Sequence, residues 1–159
     1  SKGLLLLVSD YEEATKVAEF NDIAKNLVKK YWPGQLTLIL KKKEPCIIPS
    51  EVTASQNTIG LRVPENELIL NILKRLKSFG YFGGIIGTSA NYSGETPSLS
   101  GEEVSKKILS PIDLIIDGGV SKSKLPTTII DCSSDNLKFL RIGEISEEEV
   151  LEYLSESNR

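Results

Sequence analysis

Hydrophobic and polar positions along this chain follow two periods, one typical of strands and one typical of helices. Short apolar runs bounded by glycine, proline or polar residues alternate with segments whose apolar residues recur at helical spacing. Interleaved elements of this kind predict a single α/β domain around one mixed sheet. The predicted strands are Leu4–Val8, Gln35–Leu40, Thr58–Val63, Gly84–Ile86, Asp113–Asp117, Thr127–Asp131 and Leu137–Arg141.

Five segments place apolar residues at helical spacing, four of them behind a residue suited to cap a helix and one behind Pro64, which ends a predicted strand. Two of them have the Ser-x-x-Glu spacing of a capping box, in which the serine and glutamate side chains bond to free backbone N–H groups. The predicted helices follow Ser9 or Asp10 (with Ala14, Val17 and Ala18 on one face), Asn21, Pro64, Ser100 and Ser146.

The composition indicates a globular protein that stays in water and excludes several classes of site. Of 159 residues, 40% are hydrophobic and 26% are charged, and no apolar run approaches the roughly 20 residues of a membrane span. The net charge of −3 gives no long-range attraction to nucleic acid. Histidine is absent, which excludes a Ser-His-Asp triad and removes the commonest zinc ligand. Cys46 and Cys132 lie far apart and no signal peptide is apparent, so we predict a reducing cytoplasm.

Hydroxyl and cationic residues stand at the ends of several apolar runs. Ligands of open α/β sheets bind at strand ends, so these positions are candidates for one shared site. The stretch GTSANYSG, residues 87–94, suits an anionic or zwitterionic small molecule, although an ordinary polar loop has the same composition. Arg62 alternates with Leu61 and Val63 and could hold a carboxylate or phosphate with two hydrogen bonds; a surface arginine is the alternative. Arg141 is similar, and Gly143 would allow close approach of the backbone.

Seven stretches resemble, in order, the motifs of the YrdC/Sua5 family. The resemblance extends from Lys2 to about Gly143, and it implies a twisted open α/β sheet with a positively lined cavity. Family enzymes are threonylcarbamoyl-AMP synthases in the t6A modification of tRNA. The stretches are YWPGQLTLIL, TIGLRVP, GTSANYSG, Pro97-Ser98, DLIIDGG, PTTIID and LRIGEI.

The resemblance implies an enzyme that condenses L-threonine, bicarbonate and ATP, with Mg2+, into threonylcarbamoyl-AMP and pyrophosphate. The implied partners are tRNA or double-stranded RNA and the machinery that transfers the product to tRNA. A noncatalytic relative that binds double-stranded RNA is the alternative. Residues matching family ATP contacts are Thr58, Asn91, Ser98 and Arg141, and those matching threonine contacts are Arg62, Ser89 and Thr127, with no catalytic residue and no metal ligand assigned.

Two family motifs are missing from this chain. Family enzymes open with a Pro-Thr-Asp/Glu-Thr-Val-Tyr-Gly-Leu strand and a Lys-x-Arg motif, both before the strand that is here Leu4–Val8. We therefore expect residues 1–159 to be one YrdC-like domain, incomplete at its N-terminus, and a piece of an active enzyme rather than a shortened inactive relative. A stable protein rarely leaves a central strand unpaired, which favours the first explanation. Smaller departures are Gln35 and Ile142, where the family usually or often has proline.

Overall fold

The protein is described by a computed structural model that covers residues 4–55, 57–92, 95–96, 98–108, 110–121 and 125–157. The chain divides into two compact units. The first is Ser1–Gly87 with Pro126–Arg159, and the second is Thr88–Leu125. Among the residues covered, every strand and all helices but one belong to the first unit.

One mixed sheet forms the centre of the first unit. Its strand order is β5-β1-β4-β3-β6-β7, and β2 pairs with β3 beside this path. The pairs β1–β4 and β3–β6 are parallel, whereas β1–β5, β2–β3, β3–β4 and β6–β7 are antiparallel. The predicted α/β class with an open, twisted mixed sheet and flanking helices is thus confirmed. The strands are β1 Leu5–Val8, β2 Ala18–Glu19, β3 Leu36–Lys42, β4 Thr58–Arg62, β5 Gly84–Gly87, β6 Thr128–Asp131 and β7 Lys138–Arg141.

Four of the helices begin where the capping signals predict. Side chains of Asp10, Asn21, Ser100 and Ser146 each accept a hydrogen bond from the backbone N–H three residues later. Such caps satisfy backbone donors that the first helical turn leaves unpaired. The helices are α1 Tyr11–Val17, α2 Asp22–Tyr31, α3 Ser50–Thr53, α4 Glu67–Ser78, α5 Gly101–Lys107 and α6 Glu147–Ser157, of which α5 belongs to the second unit.

Two local predictions are wrong. Asp113–Asp117 forms no strand, because this apolar run pairs with no described strand and leaves Leu114 73% exposed. A run with strand propensity orders its backbone only where a neighbouring strand supplies the ladder of hydrogen bonds. Ala18 lies outside the predicted helix, since its backbone is extended and it pairs with Lys42 as part of β2. The short elements β2 and α3 were not predicted.

The sheet buries one face more deeply than the other. Leu6, Leu38, Leu61 and Ile130 point to the same face and are at most 4% exposed. Helices α1, α2 and α6 contribute to the hydrophobic core on this face, through residues such as Val150. The opposite face, called here the second face, is mostly half-buried. Its residues include Leu5, Leu7, Thr37, Ile39, Thr58, Gly60, Arg62, Ile129 and Arg141.

Helices in the part of the chain that the structure covers are too short or too polar to cross a bilayer.

Candidate functional site

Strand pairing brings Arg62 and Arg141 to one end of the second face. Leu38 lies opposite Leu61, so the next pair in this antiparallel ladder is Thr37 with Arg62. Thr37 is also level with Ile129, which lies opposite Arg141. The two arginines therefore stand about 14 Å apart at their Cα atoms, three strand spacings across the sheet. We call Gln35, Thr37, Arg62, Thr127 and Arg141 the arginine cluster.

Arg62 is held by two neutral acceptors just before β3. Its Nε–H donates to the carbonyl of Gly34 at 2.7 Å, and Nη2 donates to Oε1 of Gln35 at 2.8 Å. A glycine is required at position 34, because a Cβ there would lie 2.5 Å from the carbonyl oxygen of Tyr31. The Gly34 N–H also donates to the carbonyl of Val63, which ties the turn before β3 to the end of β4.

Arg141 is held by a single residue. Its Nε–H donates to the Thr127 carbonyl at 2.9 Å, and its Nη2 donates to the Thr127 hydroxyl at 2.8 Å. The hydroxyl oxygens of Thr127 and Thr37 are buried and lie 3.0 Å apart, within hydrogen-bond distance. Arg141 is therefore connected through Thr127 to strand β3.

The loop after β7 fixes this arrangement by packing closely on the start of β6. A Cβ on Gly143 would lie 2.0 Å from the carbonyl oxygen of Pro126, so the predicted close approach is confirmed. The Gly143 N–H donates to the hydroxyl of Thr128, which is fully buried and itself donates to the Ile145 carbonyl. This packing fixes the position of Thr127, to which Arg141 donates two hydrogen bonds.

Both guanidinium groups lack a negative partner among the residues that the structure covers. No ion pair within 4.0 Å between described residues includes Arg62 or Arg141. Burial lowers the pKa of Arg62, and the nearby positive charge of Arg141 lowers it further. Arg141 is exposed as a whole residue, yet desolvation of its bonded guanidinium lowers its pKa too. Both remain charged near neutral pH, because an arginine pKa starts far above it.

Each guanidinium keeps an unused edge. The described bonds engage Nε and one N–H of Nη2, whereas a guanidinium carries five N–H donors. Two of the three remaining donors lie along the Nη1–Nη2 edge, which matches the two oxygens of a carboxylate or phosphate. Two cations at strand ends, without counter-ions among the described residues, favour a ligand with two anionic groups.

Thr58 lies on the same face of β4 as Arg62 but at the other end of the strand. They are four positions apart, which corresponds to about 13 Å along a strand. The Thr58 hydroxyl donates to Oγ of Ser55 at 2.9 Å. The structure therefore does not bring Thr58 into the arginine cluster, although both border the second face.

The second unit carries the other three predicted site residues. Nδ2 of Asn91 donates to the carbonyls of Tyr92 and Glu95, each at 3.0 Å. Oδ1 of Asn91 and Oγ of Ser98 are buried and have no hydrogen-bond partner among the described residues. A buried unpaired acceptor is costly, so these two atoms are suited to meet a ligand donor. Ser89 is exposed, and Ser93, Gly94 and Pro97 of the quoted motifs lie outside the described residues.

Sequence reasoning predicted Thr127 as a threonine contact but did not predict that it holds Arg141, nor that Gln35 holds Arg62. Thr37 is a polar residue between Leu36 and Leu38, and Gln35 precedes it by two positions on the same side of the strand. That alternation was readable in the sequence and places both side chains on one face. Their partners, Arg62 for Gln35 and Thr127 for Thr37, could not be predicted, because they depend on the order of strands in the sheet.

The described residues contain no group of three or more aspartate, glutamate or cysteine side chains able to hold a metal ion.

Comparison with known proteins adds independent similarities. The family model Sua5_yciO_yrdC, described as Telomere recombination, matches residues 1–143. A curated Methanocaldococcus jannaschii protein is 36% identical over 147 residues, which are 91% of this chain and 64% of that protein. The structure of Pyrococcus abyssi Sua5 complexed with L-threonine has a TM-score of 0.84 at 30% identity, covering 98% of this chain and 44% of that one. Escherichia coli YciO has a TM-score of 0.77 at 27% identity, covering 93% of this chain and 69% of that one.

The chain thus spans less than two thirds of the length of the first two of these relatives.

Proposed function

This chain belongs to the Sua5/YciO/YrdC family, and we propose on that basis that the protein is an L-threonylcarbamoyladenylate synthase. In the proposed reaction the amine of L-threonine takes up CO2 derived from bicarbonate, and an oxygen of the carbamate attacks the α-phosphorus of ATP. Pyrophosphate leaves with the electrons of the broken P–O bond. The observation that carries the proposal is the arginine cluster, whose two cations have no negative partner among the described residues.

Arg62 is proposed to bind the threonine carboxylate. Its Nε and part of Nη2 are engaged by Gly34 and Gln35, so the remaining edge is oriented and available. A relative solved with L-threonine supports this substrate class. The other proposed threonine contacts are the exposed hydroxyl of Ser89 and the buried one of Thr127.

Four residues are proposed to bind ATP. Arg141 supplies positive charge, and the unpaired buried atoms of Asn91 and Ser98 supply polar contacts. Thr58 would contact the nucleotide from the other end of β4, which suits an extended ligand better than a compact one. These assignments follow the family resemblance and remain proposals for this chain.

The proposed chemistry does not need a histidine. Holding two anionic reactants in line and stabilising charge with arginines lowers the barrier without a proton-transfer residue. Mg2+ would enter with the ATP phosphates, since it commonly binds through substrate phosphates and water.

We further propose that the product serves t6A formation on tRNA in the cytoplasm, with the transfer machinery as a protein partner. Cys46 and Cys132 are both free thiols, as expected in a reducing compartment.

The test is mass-spectrometric detection of threonylcarbamoyl-AMP after the intact protein is incubated with ATP, Mg2+, L-threonine and bicarbonate. We expect product and pyrophosphate in equal amounts, and neither when threonine or bicarbonate is omitted. A folded protein that yields no product would contradict the proposal. Salt-dependent binding of duplex RNA by that inactive protein would support the noncatalytic alternative.

A further inference from the structure

Gln35 occupies a position from which it controls Arg62. It directly precedes β3 and is level with Thr127, since the adjacent residues Leu36 and Thr128 are paired. Its side chain is half-buried, and its Oε1 accepts from Nη2 of Arg62 at 2.8 Å. A guanidinium has donors only, so the oxygen and not the nitrogen of the Gln35 amide must face it.

The hydrogen bond that Arg62 donates to Gln35 fixes the plane of the guanidinium. The carbonyl of Gly34 is a single acceptor on Nε, and one contact of this kind leaves the group free to rotate about it. A second acceptor on Nη2 removes that freedom and leaves the Nη1–Nη2 edge pointing away from both. Affinity for a carboxylate depends on this orientation, because two parallel hydrogen bonds require a defined plane.

Gln35 also preserves the charge of the cluster. Its amide is neutral, so it orients Arg62 without cancelling the positive charge that an anionic ligand would meet. A carboxylate at the same place would form an ion pair with Arg62 and compete with the ligand carboxylate. The amide is thus the one acceptor of this size that orients Arg62 and leaves its charge uncompensated.

We propose that Gln35 is a positioning residue for Arg62 that makes the threonine subsite selective for a carboxylate. This inference rests on the proposed function, because it takes L-threonine as the ligand of Arg62.

The experiment compares Gln35→Ala, which removes the acceptor, with Gln35→Glu, which keeps its size and adds a negative charge. Asn71→Asp is the matched control, since it adds the same charge on the exposed side of α4. The intact proteins are titrated calorimetrically with L-threonine, with L-threoninol, which lacks the carboxylate, and with ATP. Steady-state KM and kcat are then measured for threonine.

We expect Gln35→Ala to raise the KM for L-threonine about 5- to 10-fold, the size of one ordinary hydrogen bond, with ATP affinity nearly unchanged. Gln35→Glu should raise the KM for L-threonine further and lower the ratio of the affinity for L-threonine to that for L-threoninol. A merely structural role of Gln35 would weaken the binding of L-threonine and of L-threoninol by the same factor. A change in the ratio of the two affinities therefore identifies the positioning role. Asn71→Asp should leave the ratio unchanged.

The outcomes separate the two proposals. If the unsubstituted protein fails to bind L-threonine and forms no product, the proposed function itself is wrong. If it binds L-threonine and both Gln35 variants keep the original ratio of affinities, the inference about Gln35 is overturned. Should Gln35→Glu fail to fold, the ratio measured with Gln35→Ala decides.

Discussion

Two charged clusters in the first unit differ in how their charges are compensated. In the carboxylate cluster, formed by Asp10, Glu13, Lys16 and Lys77, opposite charges face one another. Nζ of Lys77 lies 2.9 Å from Oδ2 of Asp10 and 3.6 Å from Oε1 of Glu13, and Lys16 also pairs with Glu13. The arginine cluster has two like charges whose hydrogen-bond acceptors among the described residues are all neutral. The compensated charges connect elements of the fold, whereas the arginines are the cations that we propose to bind ligands.

The pKa shifts show that the fold favours the charged form of the acids in the carboxylate cluster and disfavours that of Arg62. Burial alone would raise the pKa of Asp10, but the bonds from Lys77, the Glu13 N–H and Ser9 outweigh it and lower that pKa. Burial would also raise the pKa of Glu13, and bonds from Lys16 and the Gly83 N–H, with the lysine charges, lower it. A lowered acid pKa means that the fold stabilises the charged form. A lowered arginine pKa, as at Arg62, means the opposite.

The largest expected effect is on stability, from Glu13→Ala in the carboxylate cluster. Glu13 is fully buried, and its Oε2 accepts from the Gly83 N–H at 2.8 Å. Removing it leaves the Gly83 N–H without its acceptor and takes from Lys16 and Lys77 a buried negative charge, so we expect the free energy of unfolding to fall by about 3 kcal/mol. Urea denaturation measures the change. Glu12→Ala, at an exposed position of the same helix, is the control. Equal losses of unfolding free energy in the two variants would contradict the stabilising role given to the carboxylate cluster.

The next effect is on binding, from Arg62→Ala in the arginine cluster. We expect L-threonine affinity to fall about 30-fold, near 2 kcal/mol, because the carboxylate loses its charged partner. ATP affinity should fall less, and unfolding free energy should change little because Arg62 offsets no negative charge among the described residues. Calorimetry on Arg75→Ala, an exposed arginine of α4, gives the control. Equal losses for threonine and ATP would count against the assignment of Arg62.

A smaller effect on stability is expected in acid. Asp10 and Glu13 have folded pKa values below their unfolded ones, so the unfolded chain takes up protons first as pH falls. Their contribution is complete above the ordinary carboxyl range, near pH 4, and is lost as pH falls through the folded pKa values. Chemical denaturation at a series of pH values measures this slope. Glu13→Gln should reduce it, and an unchanged slope in that variant would contradict the role given to Glu13.

The smallest effect is expected from Thr37→Val. This substitution keeps the shape and removes the hydroxyl that lies 3.0 Å from that of Thr127. The free energy of unfolding should fall by about 1 kcal/mol, the value of one buried hydrogen bond. Because the Thr127 hydroxyl holds Arg141 and is itself a proposed threonine contact, the affinities for ATP and for L-threonine should both fall a few-fold. Unchanged affinities for both ligands would show that the bond between the two threonines supports neither contact.

Much of the fold could be predicted because its signals are local. The alternation around Leu61 and Val63 correctly placed Arg62 on the face opposite the core, and the capping residue Asn21 marked the start of α2. Asp113–Asp117 failed because strand formation depends on a neighbour that no local pattern specifies. Glu13 was missed as well, since Glu12 and Glu13 together suggest a solvated first turn and only tertiary packing buries one of them.

The residues that hold Arg62 and Arg141 meet at the start of strand β3. Arg62 is held by Gly34 and Gln35 just before this strand, and Arg141 is connected through Thr127 to Thr37 within it. The distance between the two charges therefore depends on the short segment from Gly34 to Thr37. An insertion or deletion inside this segment would shift the anchor of Arg62 relative to that of Arg141, so it would change the distance between two bound anions.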